Sequence, residues 1–298
     1  MIIGINPPGL SYIGPHSEDL QASRQIDSFV DLLSVIKTNL HLNEKIDISN
    51  TCIDVSLFNF TQNFFTEVID EESPEISNVI TEINLHLAKR GSRVFFYLNK
   101  DYFLGTQLDA IEKLTTSLIL KLSEVLEALG VNYPSILIRV GSAYGNRKNT
   151  MDVFCQRALQ LGKSTLSRLC VMNDDKPSLF SVTDLLSGIY YRIKVPICFR
   201  VLPHQFNDGG LSIREALFLS CSTWDPGLKP IIIHSESILI DEFGLPLDPK
   251  SSDYLSHRIP TFGMNLDVII DSPTREDSCL KYRMNYKSLP PIVIGRKN

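Results

Sequence analysis

Short apolar runs alternate with amphipathic stretches along this chain, and that alternation sets the first expectation for its fold. Eight runs read as strands: 2–5, 51–58, "SRVFFYL" ending near Leu98, "SILIRV" ahead of Gly141, "RLCVM" ending at Met172, "VPICFRV", 230–234 and 265–270. Several are apolar throughout, the pattern of parallel strands covered on both faces. Helical spacing between them predicts helices over 20–40, 73–89, 108–129, 151–166, 182–191, 212–221 and 274–285. Ile76, Val79, Ile80, Ile83 and Leu87 mark one face of the second, and Gly130 stands where the third should end. The segments "NPPGLSYIGPHSEDL", "GSAYGNRKN", "LPHQFNDGG" and "LPLDPKSSDYLSHRIPTFG" read as loops. Strand–helix alternation over 298 residues predicts a single (β/α)8 TIM barrel spanning residues 1–298. No glycine fingerprint follows the first strand, which speaks against an open dinucleotide-binding sheet.

Composition narrows the surroundings. A hydrophobic content of 43% supplies a large core, and a net charge of −5 removes any nucleic-acid argument from overall basicity, leaving only a local basic groove. No apolar run approaches a bilayer span and the N-terminus lacks a charged-then-apolar signal, so no membrane association is expected. The six cysteines, Cys52, Cys155, Cys170, Cys198, Cys221 and Cys279, form no CxxC pair. They read as free thiols, and the expected location is the cytoplasm or another reducing intracellular compartment.

In such a barrel, function sits at the carboxyl ends of the strands. Those positions are Tyr97, Arg139, Met172, Arg200 with the Pro203-His204 turn, His234 and Asp271. After Met172 comes the polar cluster Asn173-Asp174-Asp175-Lys176. A hydrolytic site with several divalent ions needs roughly four to six ligands per ion. The mouth offers His204, His234 and Asp271, with Asp174 and Asp175 one step beyond, and two arginines that repel cations.

The stretch from "ILIRVGSAYGNRKN" through "LCVMNDDKPSLFSVTDLL" to "VPICFRVLPHQFNDGG" and "STW" resembles the UV damage endonuclease family in order and spacing. The likeness continues into "KPIIIHSES", "SSDYLSHRIP" and "DVIIDSPTREDSCLKYR", and runs back to "SRVFFYLNKDYFLG". The resemblance implies a (β/α)8 barrel that nicks DNA 5′ to ultraviolet photoproducts, with divalent metals, typically manganese, at the mouth. Carried over one at a time, the family's ligand histidines fall on Tyr97, Arg139, Pro203 and Ser251, its glutamate after strand five on Met172 and its aspartate on Arg200. The carboxylated lysine falls on Ile232, and the last glutamate becomes Asp271. His234 takes the place of the strand-seven histidine. The pair that probes the duplex falls on Lys100-Asp101, with Tyr102 one place away.

The ligands implied by the resemblance are thus largely replaced, and the expected protein is a divergent member that has lost its metal site and is catalytically inactive. It would serve as a DNA-binding or protein-assembly component, with no cofactor. Arg139 and Arg200 would stand in the electrostatic place of lost ions, and with Asp174 and Asp271 they would form a salt-bridged plug. His234 is then a hydrogen-bonded histidine inside the mouth rather than a ligand. Asp174 and Asp175 read as turn and capping residues rather than an acid/base pair. Trp224 reads as packing. Lys100, Tyr102, Arg139, Arg147, Lys148 and Arg200 would line a duplex groove, with scattered solvated charge as the plainer reading. The competing expectation is an active endonuclease using His234, Asp271 and Asp174, with manganese or another divalent ion held by His204, His234 and Asp271.

Overall fold

The computed structural model describes residues 9–14, 24–70, 72–99 and 101–286. Its strands are β1 (Leu10–Tyr12), β2 (Arg24–Ile26), β3 (Thr51–Asp54), β4 (Phe58–Phe60), β5 (Val94–Tyr97), β6 (Ile136–Arg139), β7 (Leu169–Met172), β8 (Ile197–Arg200), β9 (Ile231–His234) and β10 (Asp267–Ile270). Its helices are α1 (Phe29–Lys45), α2 (Gln62–Thr66), α3 (Pro74–Arg90), α4 (Asp109–Ala128), α5 (Arg147–Gln160), α6 (Lys163–Ser167), α7 (Val182–Leu185), α8 (Tyr191–Ile193), α9 (Val201–Phe206), α10 (Ile213–Cys221) and α11 (Glu276–Tyr286). Eight strands pair in the order β1-β10-β9-β8-β7-β6-β5-β3, every pair parallel. The ring closes between its ends through a bridge from Ile13 to Cys52, where the Gly14 amide donates to the Cys52 carbonyl at 2.9 Å. This is the expected TIM barrel. Strands β2 and β4 form a separate parallel pair.

The first ring strand departs from expectation. The run 2–5 lies outside the described residues, and β1 falls inside the segment read as a loop. The three residues of Leu10–Tyr12 are too few for a periodic signal. The helix expected from residue 20 begins at Phe29, where Ser28 and Asp31 form a reciprocal capping box. Strand 51–58 stops at Asp54, whose carboxylate accepts the Ser56 amide at 3.0 Å and turns the chain. The helix expected over 151–166 starts earlier, at Arg147, capped by Asn146, and breaks at Gly162. The "LPHQFNDGG" loop opens as α9, with Pro203 in the first turn, where a missing amide costs nothing. No helix among the described residues is long and apolar enough to cross a membrane.

Two apolar layers result from the pleat. One set of strand residues, including Ile53, Phe96, Ile138, Val171, Phe199, Ile232 and Val268, packs against the helices. The alternate set, Cys52, Phe95, Leu137, Cys170, Met172, Cys198, Ile231, Ile233 and Ile269, fills the barrel with Trp224. All six cysteines are free, five of them buried. Each fully buried aliphatic side chain contributes about 1.5–3 kcal/mol.

The amino-terminal end of the barrel is sealed ionically. Asp267 accepts the Gly9 amide at 3.0 Å and Asn50 Nδ2 at 3.1 Å, and meets Lys229 Nζ at 2.5 Å and Arg93 Nη1 at 3.5 Å. The Arg93 guanidinium lies 4.8 Å from the ring centres of Phe95 and Tyr133 and 5.8 Å from that of Trp224. Trp224 Nε1 donates to the Ile197 carbonyl at 2.9 Å, so this residue packs as expected. Asp267→Ala leaves Arg93 buried without its counter-charge and should destabilise by about 3–5 kcal/mol in urea unfolding. Adding Arg93→Met should recover a large part of that loss, because no buried charge then stands alone; a double variant no more stable than the single one would contradict this account.

Candidate functional site at the barrel mouth

The pleat decides which strand-end residues enter the mouth. Extending the inward series places Asp54, Tyr97, Arg139, Met172, Arg200 and Asp271 there. Arg139 is positioned by a bridge to Phe103, whose ring centre lies 5.5 Å from the guanidinium carbon. That approach needs glycine: a Cβ on Gly105 would lie 2.5 Å from the Val140 carbonyl oxygen, and one on Gly141, at φ +133°, would crowd Phe103.

The mouth is organised by ion pairs. Arg139 Nη1 reaches Asp174 Oδ1 at 3.4 Å, and Arg200 Nη2 lies 3.9 Å from Asp271 Oδ2. These are the four residues expected to plug the barrel. Asn173 ties the neighbouring strand ends together: its Nδ2 donates to the Arg200 carbonyl at 3.0 Å, and its Oδ1 accepts the Arg200 amide at 2.7 Å. Asn207 Nδ2 donates to the carbonyls of Asp174 at 3.3 Å and Lys176 at 3.0 Å, so the polar cluster is a clamped turn. The helix cap that follows belongs to Ser181.

Burial dominates the titration of these groups. It pushes the Asp174 carboxyl up to about 6, against the pull of Arg139 and Arg200. The geometry explains the balance, since Asp174 Oδ2 is buried without a hydrogen-bond partner. Asp271 is raised by burial against Arg200, and Asp54 by burial against its hydrogen bonds from Ser56. Burial also pushes the Tyr97 hydroxyl up to about 12. For Arg200, burial opposes the charge, but Tyr97, Asp271 and Asp174 outweigh it and hold the guanidinium protonated.

The histidines do not join this cluster. Ile231 and Ile233 face the barrel interior, so alternation puts Ile232 and His234 on the helix side of β9. Burial pushes His234 down to about 4, so it is neutral at physiological pH, and its Nδ1 has no hydrogen-bond partner. The continuous run "IIIH" carries no period that would have shown which residues turn inward. His204 sits on α9, its ring edge against Phe199 at 5.1 Å and its Nε2 3.0 Å from the Leu211 carbonyl oxygen. His204, His234 and Asp271 are therefore not brought together. Among the described residues no three His, Cys, Asp or Glu side chains are placed to share a metal ion. The donor set does not fit the manganese cluster that the resemblance implies. Asp54 was missed by the sequence reading, although a carboxylate closing the apolar run "TCID" is the same signal that Asp271 gives.

The candidate groove is likewise ion-paired. Arg147 pairs with Asp184, and Lys148 Nζ lies 3.0 Å from Asp152 on the same helix. Both lie in the first turn of α5 rather than in a glycine loop. Tyr102 is half-buried against the core. Lys100 lies outside the described residues.

The raised Asp174 carboxyl fixes a sign. Its folded pKa exceeds the unfolded value, so its contribution to stability is full below about pH 4 and is lost as pH rises through about 6. Asp174→Asn should flatten the fall in unfolding free energy between pH 4 and 7, by at most about 3 kcal/mol. Denaturant titrations at several pH values check this, and an unaltered profile would count against the assignment.

Comparison with known proteins agrees with this fold. The model of the family described as UV-endonuclease UvdE matches residues 11–293. A protein of Acanthamoeba polyphaga mimivirus, provisionally described as a UV-damage endonuclease, is 22% identical over 275 residues, covering 86% of this chain and 79% of its own. A UV DNA damage endonuclease of Clostridium perfringens is 25% identical over 207 residues, covering 66% of this chain but only 48% of its own length. The crystal structure of SacUVDE superposes with a TM-score of 0.77 at 20% identity, covering 95% of this chain and 99% of that one. Endonuclease IV of Thermus thermophilus shares the barrel, with a TM-score of 0.61 at 11% identity over 93% of this chain and 98% of that one. With a family match across nearly the whole chain and a barrel ring to carry it, this protein belongs to the UvdE family of UV endonucleases.

Proposed function

We infer that this chain is a non-cleaving member of the family, a barrel kept for binding rather than for hydrolysis. The observation that carries the reading is the pair of mouth ion bridges, Arg139–Asp174 and Arg200–Asp271, in a site without a metal-ligand cluster among the described residues. A guanidinium supplies permanent positive charge but no open coordination position, so it cannot turn a bound water into a nucleophile as a metal ion does. The alternative of an active endonuclease with a reduced metal site at His204, His234 and Asp271 draws no support from their placement. Of the partners expected from the sequence, the relatives' names favour DNA. The ion pairing of Arg139, Arg147, Lys148 and Arg200 disfavours a strong phosphate groove, because each phosphate would have to displace a carboxylate. A role in a protein assembly accords better with that pairing.

Two measurements test the reading. Protein soaked in manganese and desalted should retain less than about a tenth of an ion per chain by elemental analysis, and should leave irradiated duplex DNA unnicked. Metal-dependent nicking that disappears in Asp271→Ala would refute it. Duplex binding, if measured at several salt concentrations, should show the release of no more than about two counterions, and no preference for irradiated over intact DNA.

A further inference from the structure

The segment after β9 contains an antiparallel hairpin rising from the mouth end of that strand. Bridges join Ser237 to Ser251 and Ile240 to Pro246. The Ile238 amide donates to the Lys250 carbonyl at 3.0 Å, Leu247 to Leu239 at 2.9 Å and Asp241 to Leu245 at 2.9 Å. Asp241 Oδ1 accepts the amides of Phe243 at 2.9 Å and Leu245 at 2.7 Å, which fixes the tip. Glu236 accepts the amides of Ser256 and His257, both at 2.8 Å, which anchors the base.

The surface of this hairpin is apolar and acidic together. Ile238, Leu239, Ile240, Phe243, Leu245 and Leu247 are each between 56% and 79% exposed. They are divided between two faces: Leu239 lies opposite Leu247 on one, and Ile238 and Ile240 point to the other. Either face is well below the roughly 800 Å² per partner that a stable complex of separate molecules buries. Residues 236–253 carry five carboxylates, on Glu236, Asp241, Glu242, Asp248 and Asp253, against the single amine of Lys250. The occupant that fits is therefore short, apolar, basic and already tethered. Tethering supplies an effective concentration of about millimolar, so a small contact suffices.

The stretch that follows α11 has this chemistry. Residues 287–298, KSLPPIVIGRKN, lie outside the described residues; their sequence sets Ile292-Val293-Ile294 between Lys287 and Arg296-Lys297 and holds no acidic side chain. Their starting point is given by Tyr286, the last residue of α11, whose Oη donates to the Ser256 carbonyl at 2.7 Å. Ser256 is the residue whose amide Glu236 accepts at the hairpin base. Residues 287–298 can reach up to about 40 Å, and the outgoing arm from Ser237 to Phe243 runs about 20 Å. The returning arm carries Pro246 and Pro249, which have no amide to offer, so the outgoing arm is the edge able to take a further strand. The β-branched residues Ile292, Val293 and Ile294 suit that place. We propose that residues 287–298 dock on the hairpin of their own chain, with Ile292, Val293 and Ile294 laid along the outgoing arm and the basic side chains beside its carboxylates. The inference is independent of the chemistry at the mouth: a chain that nicked DNA would leave it standing.

The test is hydrogen–deuterium exchange of the full chain, at about 1 and 50 μM. Residues 238–241 and 292–294 should exchange slowly, and equally so at both concentrations. Ile292→Ser with Ile294→Ser should speed exchange at 238–241 at least about fivefold. Arg296→Glu with Lys297→Glu, a variant that alters charge only, should speed it several-fold, as should about 0.5 M salt on the unaltered chain. A free peptide with the sequence of residues 287–298 should slow the arm of the serine variant again at about millimolar concentration, and should bind the unaltered chain at least about tenfold more weakly, because its site is filled. Hairpin exchange indifferent to both pairs of substitutions, protection that grows with protein concentration, or a peptide that binds both chains alike would each overturn the proposal.

Discussion

Closing eight parallel strands into a ring forces alternate residues at each strand end into a space that no helix covers, and every charge that lands there must find a counter-charge inside the protein. At the mouth of this barrel the requirement is met by Arg139 with Asp174 and by Arg200 with Asp271. At the opposite end it is met by Asp267 with Arg93 and Lys229. Pairs of this kind give little net stability over an apolar filling, but a lone partner costs several kcal/mol. Each pair is therefore conditional on its other half, and the barrel ends behave as interlocked units rather than as sums of contacts.

This constraint also bears on function. A metal cluster and an arginine–aspartate network both solve the problem of charge in a partly enclosed space, but they solve it differently. Metal ions can exchange ligands, accept water and lower its pKa, whereas guanidinium groups are planar, permanently charged donors with no coordination position for water. On the proposed reading, the mouth keeps the electrostatic balance of the fold while giving up its reactivity. Burial raises the carboxyls of Asp174 and Asp271, and the guanidinium groups pull the other way, so it is the pairing that keeps them charged.

The sequence by itself determined the barrel, most of its strands and helices, and the four residues of the mouth network. Apolar runs ended by a polar or charged residue are a local signal, and Arg139, Arg200, Asp174 and Asp271 all stand at such ends. What it left open had no local signal to read. The three-residue strand β1 is shorter than any period, and α9 carries a proline in its first turn. The inward or outward sense of "IIIH" is set only when β9 pairs with its neighbours in register, and that pairing turned His234 away from the mouth. After β9, backbone bonds join Ile238 to Lys250 and Leu239 to Leu247, and the exposed leucines and isoleucines of that segment look like core in the sequence. Periodicity and chain-end chemistry are written along the chain, whereas facing, pairing and exposure arise only when distant segments meet, and here the tertiary structure alone decided them.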